Sequence, residues 1–356
     1  MPDGICLKIK TLPCILFALA AGCMVFFSAR FAAEQSEKSS RLFYGYAQAS
    51  GGDMAFPARR TPSSGNEDNS VFSSVDTGKI YRDITTNGGV SNAAYGFYNF
   101  NHDFLNITYR ISASKLAEYF SSFGYSDDDL VKLAQKRKEL QQIAYKYVVA
   151  NKMSQADLDS AGQVIDSGFQ DSVTKMLQDR GFKLKDGRVI AVNVPQIVKN
   201  FYPSMKPVAK SFAQIAQSMD YSAEDLVGGI LSLAQTGVEY RLPPEKIGGK
   251  YTGGILLPPQ TMAYGWGDCD TKTALVSAIL LNWKDMPIVG VSLPGHYLMA
   301  VQASPRHGDV FITYQGKRYI LMEPAGPGWF PPGVVGKNTM IKLQAQDGLK
   351  IEPFYL

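Results

Sequence analysis

The chain has 356 residues, which is enough for one large domain or two ordinary domains with substantial hydrophobic cores. Hydrophobic residues make up 45% and charged residues 19% of the chain, a composition typical of a globular protein. The formal net charge is only +4 and the basic residues are scattered, so the sequence does not predict binding to nucleic acid.

Cysteine and histidine are too few and too dispersed for a metal site. The four cysteines are Cys6, Cys14, Cys23 and Cys269. Because only Cys269 lies beyond the N-terminal segment, the remainder of the chain can form neither an internal disulfide nor a zinc site with two thiolates. The three histidines, His102, His296 and His307, do not have the spacing of a ligand set. We therefore expect no metal and no cofactor.

The N-terminus carries an export signal or a membrane anchor, assigned to residues 1–33. Lys8 and Lys10 precede an apolar stretch at residues 11–29, which is about long enough to span a bilayer. The basic flank predicts that the rest of the chain lies outside the cytoplasm, with a periplasmic or extracellular-facing location. A cleaved signal, an uncleaved anchor and a lipoprotein processed at Cys23 all remain open.

Residues 34–75 are rich in Ser, Gly, Asn and charge, and this composition predicts a flexible linker. The following region, 76–221, is expected to be mainly helical, with short strands possible among the aromatic residues up to 110. Ser126 is a good N-cap for a first long helix, and a second is expected from Ser154 to about Gln178. The segment around Asp186-Gly187 predicts a β-hairpin.

Residues 264–282, YGWGDCDTKTALVSAILLN, place one cysteine at the start of a helix. Asp268 is the expected N-cap, and apolar residues recur at core-facing spacing after it. Cys269 therefore meets the free N–H groups and the positive end of the helix dipole, which predicts a thiol pKa below the usual value of about 8.5. The neighbouring Asp268 and Asp270 oppose thiolate formation.

A histidine and an acid follow in strand-like segments. His296 begins the alternating run HYLMAVQ, and Glu323 ends YILME after a hairpin around Gln315-Gly316. A thiol, an imidazole and a carboxylate in this order suit nucleophilic catalysis: the thiol attacks, the imidazole transfers its proton, and the acid orients the imidazole.

GDCDTKTALVSAIL, SLPGHYLMAV and YILMEPAGPGW resemble the three core motifs of bacterial transglutaminase-like cysteine hydrolases, within the papain-like group. The upstream segment AQTGVEY, residues 234–240, is similar to the Gln and Tyr that precede the nucleophile motif in that family. The resemblance covers about residues 222–340 and implies a catalytic domain over 222–356. It implies an α+β fold, in which a Cys-bearing helix packs on an antiparallel sheet beyond an upstream, mainly helical region.

The resemblance also implies roles for individual residues. Cys269, His296 and Glu323 are the expected catalytic residues, although Glu occupies a position where most relatives have Asp or Asn. Gln235 is a candidate oxyanion donor beside the Cys269 backbone N–H, with Trp266 and Tyr240 as rivals. Trp266, Tyr240 and Trp329 are candidates for the substrate cleft, Trp329 being equally well explained as a lid over the sheet edge.

The resulting hypothesis is an extracytoplasmic cysteine hydrolase that cleaves a peptide or isopeptide bond of a protein or peptide substrate through a thioester. Three alternatives remain open. One is transfer of the acyl group to an amine, that is, transamidation of protein glutamine. Another is a catalytically silent transglutaminase-like module used for binding. The third is a membrane-tethered adaptor that functions through its helical half.

Overall fold

A computed structural model describes residues 77–185, 187, 189–284, 286–326, 328–345 and 348–354, together with the backbone of residues 43–46. Its helices and mainly antiparallel sheets form an α+β fold, as the sequence predicted. The expected leader at 1–33 lies outside the described residues, as does most of the expected linker. Among the residues that are described, no helix has the length and apolar character needed to cross a membrane.

We number the elements of the described chain in order. The helices are α1 (Ala113–Ser121), α2 (Asp127–Ala150), α3 (Gln155–Asp179), α4 (Val194–Phe201), α5 (Lys206–Ser218), α6 (Ala223–Ser232), α7 (Pro258–Tyr264), α8 (Cys269–Leu280) and α9 (Lys337–Ala345). The longer strands are β1 (Phe43–Tyr46), β2 (Tyr81–Asn87), β3 (Val90–Tyr98), β4 (Phe104–Ser112), β5 (Phe182–Lys185), β6 (Val189–Val192), β11 (Ile288–Leu293), β12 (His296–Gln302), β13 (Val310–Tyr314), β14 (Lys317–Met322) and β15 (Lys350–Pro353). The two-residue strands are β7 (Glu239–Tyr240), β8 (Lys246–Ile247), β9 (Lys250–Tyr251) and β10 (Trp266–Gly267).

Several local predictions are confirmed. Ser126 caps α2 by accepting a hydrogen bond from the Asp129 N–H, and α3 begins directly after Ser154. β5 and β6 form the antiparallel hairpin predicted around Gly187. The second predicted hairpin joins β13 and β14, with positive φ angles of 49° and 74° at Gln315 and Gly316, as a two-residue hairpin turn requires.

Residue contacts divide the chain into two compact units. The described part of the smaller unit, Gln135–Ser172, contains the end of α2 and the start of α3, whose facing sides are linked by a 2.8 Å ion pair between Arg137 and Asp166. Its exposed apolar side chains include Leu140 and Ile143.

The larger unit contains the expected catalytic region and also much of the segment before it, Phe43–Ala134 and Val173–Leu356. Strands β2, β3 and β4 form an antiparallel sheet whose inner face carries Tyr95 and Ile107, both 0% exposed. These side chains belong to the same hydrophobic core as Leu275 of α8. The boundary expected between residues 221 and 222 therefore falls inside one unit with a shared core.

The six-stranded sheet has the order β1-β13-β14-β12-β11-β15 and is antiparallel throughout. Along β12, side chains alternate between two cores: Tyr297 and Met299 face the core that contains α8, while Leu298 and Ala300 face a second core that contains Leu343 of α9. Burial of both faces fixes the register of β12, and therefore the position of His296 at its first residue.

Strand β1 corrects part of the linker prediction. The backbone of Phe43–Tyr46, which falls within the predicted flexible segment 34–75, pairs antiparallel with β13. The physical reason is that an outer strand presents unpaired N–H and C=O groups, which a neighbouring segment can satisfy whatever its composition.

Candidate active site

Helix α8 begins at Cys269 because the residues before it form a helix end, a turn and a cap. Helix α7 ends at Tyr264, and its C-cap, Gly265, has a left-handed φ of 75°; a Cβ there would lie 2.2 Å from the Arg82 side chain. Further along, Asp268 accepts a hydrogen bond of 3.2 Å from the Thr271 N–H and caps α8. This confirms the N-cap prediction and fixes the Cys269 side chain on the first turn of the helix.

His296 and Glu323 come from neighbouring strands of the large sheet. His296 begins β12, and Glu323 follows the last residue of the adjacent strand β14. The Nε2 atom of His296 lies 2.8 Å from Oε1 of Glu323, and the two side chains are only 15% and 6% exposed. Since Nε2 donates to the carboxylate, Nδ1 is the ring nitrogen left free to accept a proton.

Contacts between α8 and β12 place Cys269 near the start of that strand. The Thr273 hydroxyl donates to the backbone carbonyl of Tyr297 at 3.2 Å. The backbone N–H of Tyr297 lies near the Cys269 thiol and acts to lower its pKa. Tyr297 directly follows His296, so the thiol lies close to the strand end that carries the imidazole.

The predicted low pKa of the thiol is wrong for this arrangement. Burial, with the carboxylate of Asp270 next in importance and that of Asp268 after it, raises the pKa of Cys269 far above its usual value. The thiol donates a 3.1 Å hydrogen bond to Oδ1 of Asp270. The N-terminal position of Cys269 was correctly predicted, but the dipole of a helix end is outweighed by desolvation and two adjacent carboxylates.

Gln235 has a different environment from the one expected of an oxyanion donor. It lies in the π-helical turn Leu233–Gly237 that follows α6, and it is 3% exposed. Its amide nitrogen donates to the Glu323 and Phe330 carbonyls at 2.8 and 2.9 Å, while its oxygen accepts from the Phe330 N–H at 3.0 Å. Both N–H groups are therefore engaged, and Gln235 holds the loop after Glu323 instead of pointing a free donor at Cys269.

Tyr240 and Trp266 occupy opposite faces of one short parallel ladder. Trp266 pairs with Glu239, and Gly267 pairs with Tyr240, so alternation along the strands separates the two aromatic side chains. Tyr240 faces the site: burial raises the pKa of its hydroxyl, and the charges of Cys269, Asp268, Asp270 and Glu323 raise it further. Trp266 instead lies under the guanidinium of Arg241, whose Cζ atom is 4.7 Å from the centroid of the indole ring.

Trp329 does not line a cleft. It is 4% exposed, stacks on Phe100 with ring centroids 5.4 Å apart, and donates from Nε1 to the Ser232 hydroxyl at 3.0 Å. An indole that is buried and has its N–H satisfied is stable in a core, and this excludes the interpretation as a cleft wall.

Two buried polar residues in this region were not predicted from the sequence. Thr339 of α9 donates a hydrogen bond of 2.6 Å to Oε2 of Glu323, and no local pattern marks this threonine. Lys272, on the first turn of α8, is 0% exposed and donates to the Val238 carbonyl at 2.8 Å. Burial lowers its pKa to about 7. Lys272 is the single lysine of a helix whose second half is mainly apolar, and this was a signal that could have identified it.

Asp268, Cys269 and Asp270 are the described residues whose grouping could suggest a metal, because their ligand atoms lie within 4.8 Å of one another. All three residues already have partners: Asp268 caps α8, and the Cys269 thiol donates to Asp270. The donor set thus fits a capped helix terminus better than a metal site, and the absence of a metal remains a prediction.

Comparison of the chain with family models, with curated proteins and with solved structures finds no match in any of the three.

Proposed function

We propose that the protein is an extracytoplasmic cysteine hydrolase with a papain-like, transglutaminase-like core, in which Cys269 attacks an amide or ester carbonyl. The observation that carries the proposal is the buried pair of His296 and Glu323, whose side chains are 2.8 Å apart. Tyr297, the residue after His296, lies near the thiol of Cys269, which is the only cysteine beyond the leader. A buried imidazole bonded to a carboxylate beside a thiol is the arrangement that cysteine nucleophiles use for general-base activation.

In the proposed first step, Sγ of Cys269 forms a bond to the carbonyl carbon while its proton passes to Nδ1 of His296. Because the resting thiol is neutral, we expect proton transfer during attack, with Glu323 stabilising the imidazolium. The imidazolium then gives this proton to the leaving amine, the C–N bond breaks, and a thioester remains.

In the second step, water gives a proton to His296 and attacks the thioester carbonyl. The C–S bond breaks, the proton returns to the sulfur, and a carboxylic acid leaves. With Gln235 engaged elsewhere, we assign oxyanion stabilisation to the backbone N–H of Cys269 and the hydroxyl of Tyr240. Removing one such donor typically lowers the rate by ~10²–10³.

The leader supports an extracytoplasmic protein or peptide substrate, because Lys8 and Lys10 before residues 11–29 favour export of the rest of the chain. This segment also allows attachment to the membrane. A reporter fused after Leu356 is expected to show extracytoplasmic activity, and a cytoplasmic signal would contradict the assigned location.

The test of the chemistry is mass spectrometry of full-length protein after reaction with p-nitrophenyl acetate. We expect a burst of nitrophenol and an acetyl adduct on Cys269, absent from Cys269→Ala and much slower to form in His296→Ala. A primary amine added to the reaction separates hydrolysis from transamidation, since transfer converts the amine into its acetamide. No adduct at any pH in folded protein would favour the binding module instead.

A further inference from the structure

A surface cavity of about 890 Å³ lies at the C-terminal end of α8, at the opposite end of the helix from Cys269. Twelve helical residues rise about 18 Å, so this cavity is separate from the candidate active site. It is framed by the segment Leu281–Lys284, the start of α5 and the turn between β13 and β14. Volumes of about 300–1,000 Å³ are those of typical small-molecule sites.

The floor of the cavity is aromatic. Tyr319 and Phe354, each 2% exposed, are buried beneath it, and Trp283 contributes a half-buried indole. Trp283 also packs against the main hydrophobic core. An aromatic floor anchored in the core favours a flat or aliphatic group of a ligand.

The rim is cationic. Lys206, Lys284 and Lys317 line the cavity with exposed side chains, and none of them forms an ion pair with a described residue. No carboxylate is among the described lining residues, while Asp285 lies outside them. The three ammonium groups, from α5, the segment after α8 and β14, give the opening a positive potential that favours an anion.

We propose that this cavity binds a small amphiphilic anion, namely an aromatic or acyl group that carries a carboxylate, sulfonate or phosphate. The apolar group lies on the half-buried Trp283, and the anionic group reaches the three lysines. This inference does not depend on the proposed catalytic function, since none of these residues belongs to the active site.

The probe is 1-anilinonaphthalene-8-sulfonate, compared with N-phenyl-1-naphthylamine, its neutral analogue without the sulfonate. Full-length protein is expected to bind one sulfonate saturably, with energy transfer from Trp283 that is lost in Trp283→Phe. Substituting serine for Lys206, Lys284 and Lys317 together should weaken sulfonate binding by about tenfold while leaving the neutral analogue unchanged. Added salt should weaken binding of the sulfonate alone.

The matched control replaces three exposed lysines elsewhere, Lys138, Lys199 and Lys210, by serine, and near-ultraviolet circular dichroism verifies folding of both variants. Single Lys→Ser variants replace the triple variant if it does not fold. The proposal is overturned if the sulfonate does not bind or if both triple variants bind it equally. It is also overturned if the sulfonate binds only after residues 355–356 are deleted, because the cavity would then be filled by the chain itself.

Discussion

Thr339 donates a hydrogen bond of 2.6 Å to Oε2 of Glu323, whose other oxygen lies 2.8 Å from Nε2 of His296. The Glu323 backbone carbonyl accepts from Gln235 at the same time. The carboxylate is therefore fixed at both oxygens and at its main chain. This is the kind of secondary support that keeps an imidazole in one orientation.

We predict that Thr339→Val weakens the stabilisation of the His296 imidazolium by Glu323 without unfolding the protein. The carboxylate loses one donor, so its charged form is less stabilised and the imidazolium loses part of its counter-charge. Acetylation of Cys269 by p-nitrophenyl acetate should then be slower than in wild type. Thr339→Ser keeps the hydroxyl and should restore the rate. Equal rates for the Val and Ser variants would assign Thr339 a packing role only.

We predict that Asp270→Asn makes Cys269 more reactive at low pH. The Asp270 carboxylate accepts the thiol hydrogen bond and, after burial, is the largest contributor to the raised thiol pKa. The amide removes the negative charge, so the pKa of Cys269 must fall and the thiolate must form at lower pH. Iodoacetamide labelling against pH measures this shift in a protein that begins after Glu34 and has a single cysteine. An identical curve in wild type and variant would show that Asp270 does not control the thiol.

We predict that Gln235→Leu acts mainly on stability. The leucine removes three hydrogen bonds, one to the buried Glu323 carbonyl and two to the part-buried backbone of Phe330, and leaves these partners unpaired at a cost of about 3 kcal/mol. Urea denaturation should show this loss, and Gln214→Leu on the exposed face of α5 is the matched control. Undiminished stability combined with a large loss of acylation rate would restore Gln235 as an oxyanion donor.

The sequence was most informative where a local rule determines the structure. Asp268 as a cap, the turn at Gln315-Gly316 and the strand beginning at His296 depend on neighbours within a few residues, and each was predicted. The pKa of Cys269 could not be predicted, because burial arises from packing of the whole core. The Thr339–Glu323 contact and the commitment of Gln235 to residues 323 and 330 join distant segments, and no spacing rule encodes them.

We predict that the buried Lys272 makes the stability of the protein depend on pH. Its pKa is about 7 in the folded protein against the ordinary value of 10.5, owing first to burial and then to the positive charge of Arg82. Between these values the unfolded chain binds a proton that the folded chain does not, so the contribution of Lys272 to stability rises as pH increases from about 7 to 10.5. The shift corresponds to roughly 5 kcal/mol over the whole window, and below pH 7 the contribution stays at its minimum.

Lys272→Met removes this titration while filling a similar volume, although the Val238 carbonyl loses a partner worth about 1 kcal/mol. Urea denaturation at each pH gives the free energy of unfolding of both proteins. The value for Lys272→Met minus the value for wild type should become more negative by several kcal/mol between about pH 7 and about pH 10. Subtracting the two proteins cancels titrations that they share, such as those of tyrosines. Lys210→Met, on the exposed face of α5, should instead differ from wild type by a constant amount. Parallel curves for Lys272→Met and wild type would show that Lys272 remains charged in its buried position, with its charge balanced by Asp268 and Glu239, the two carboxylates that raise its pKa.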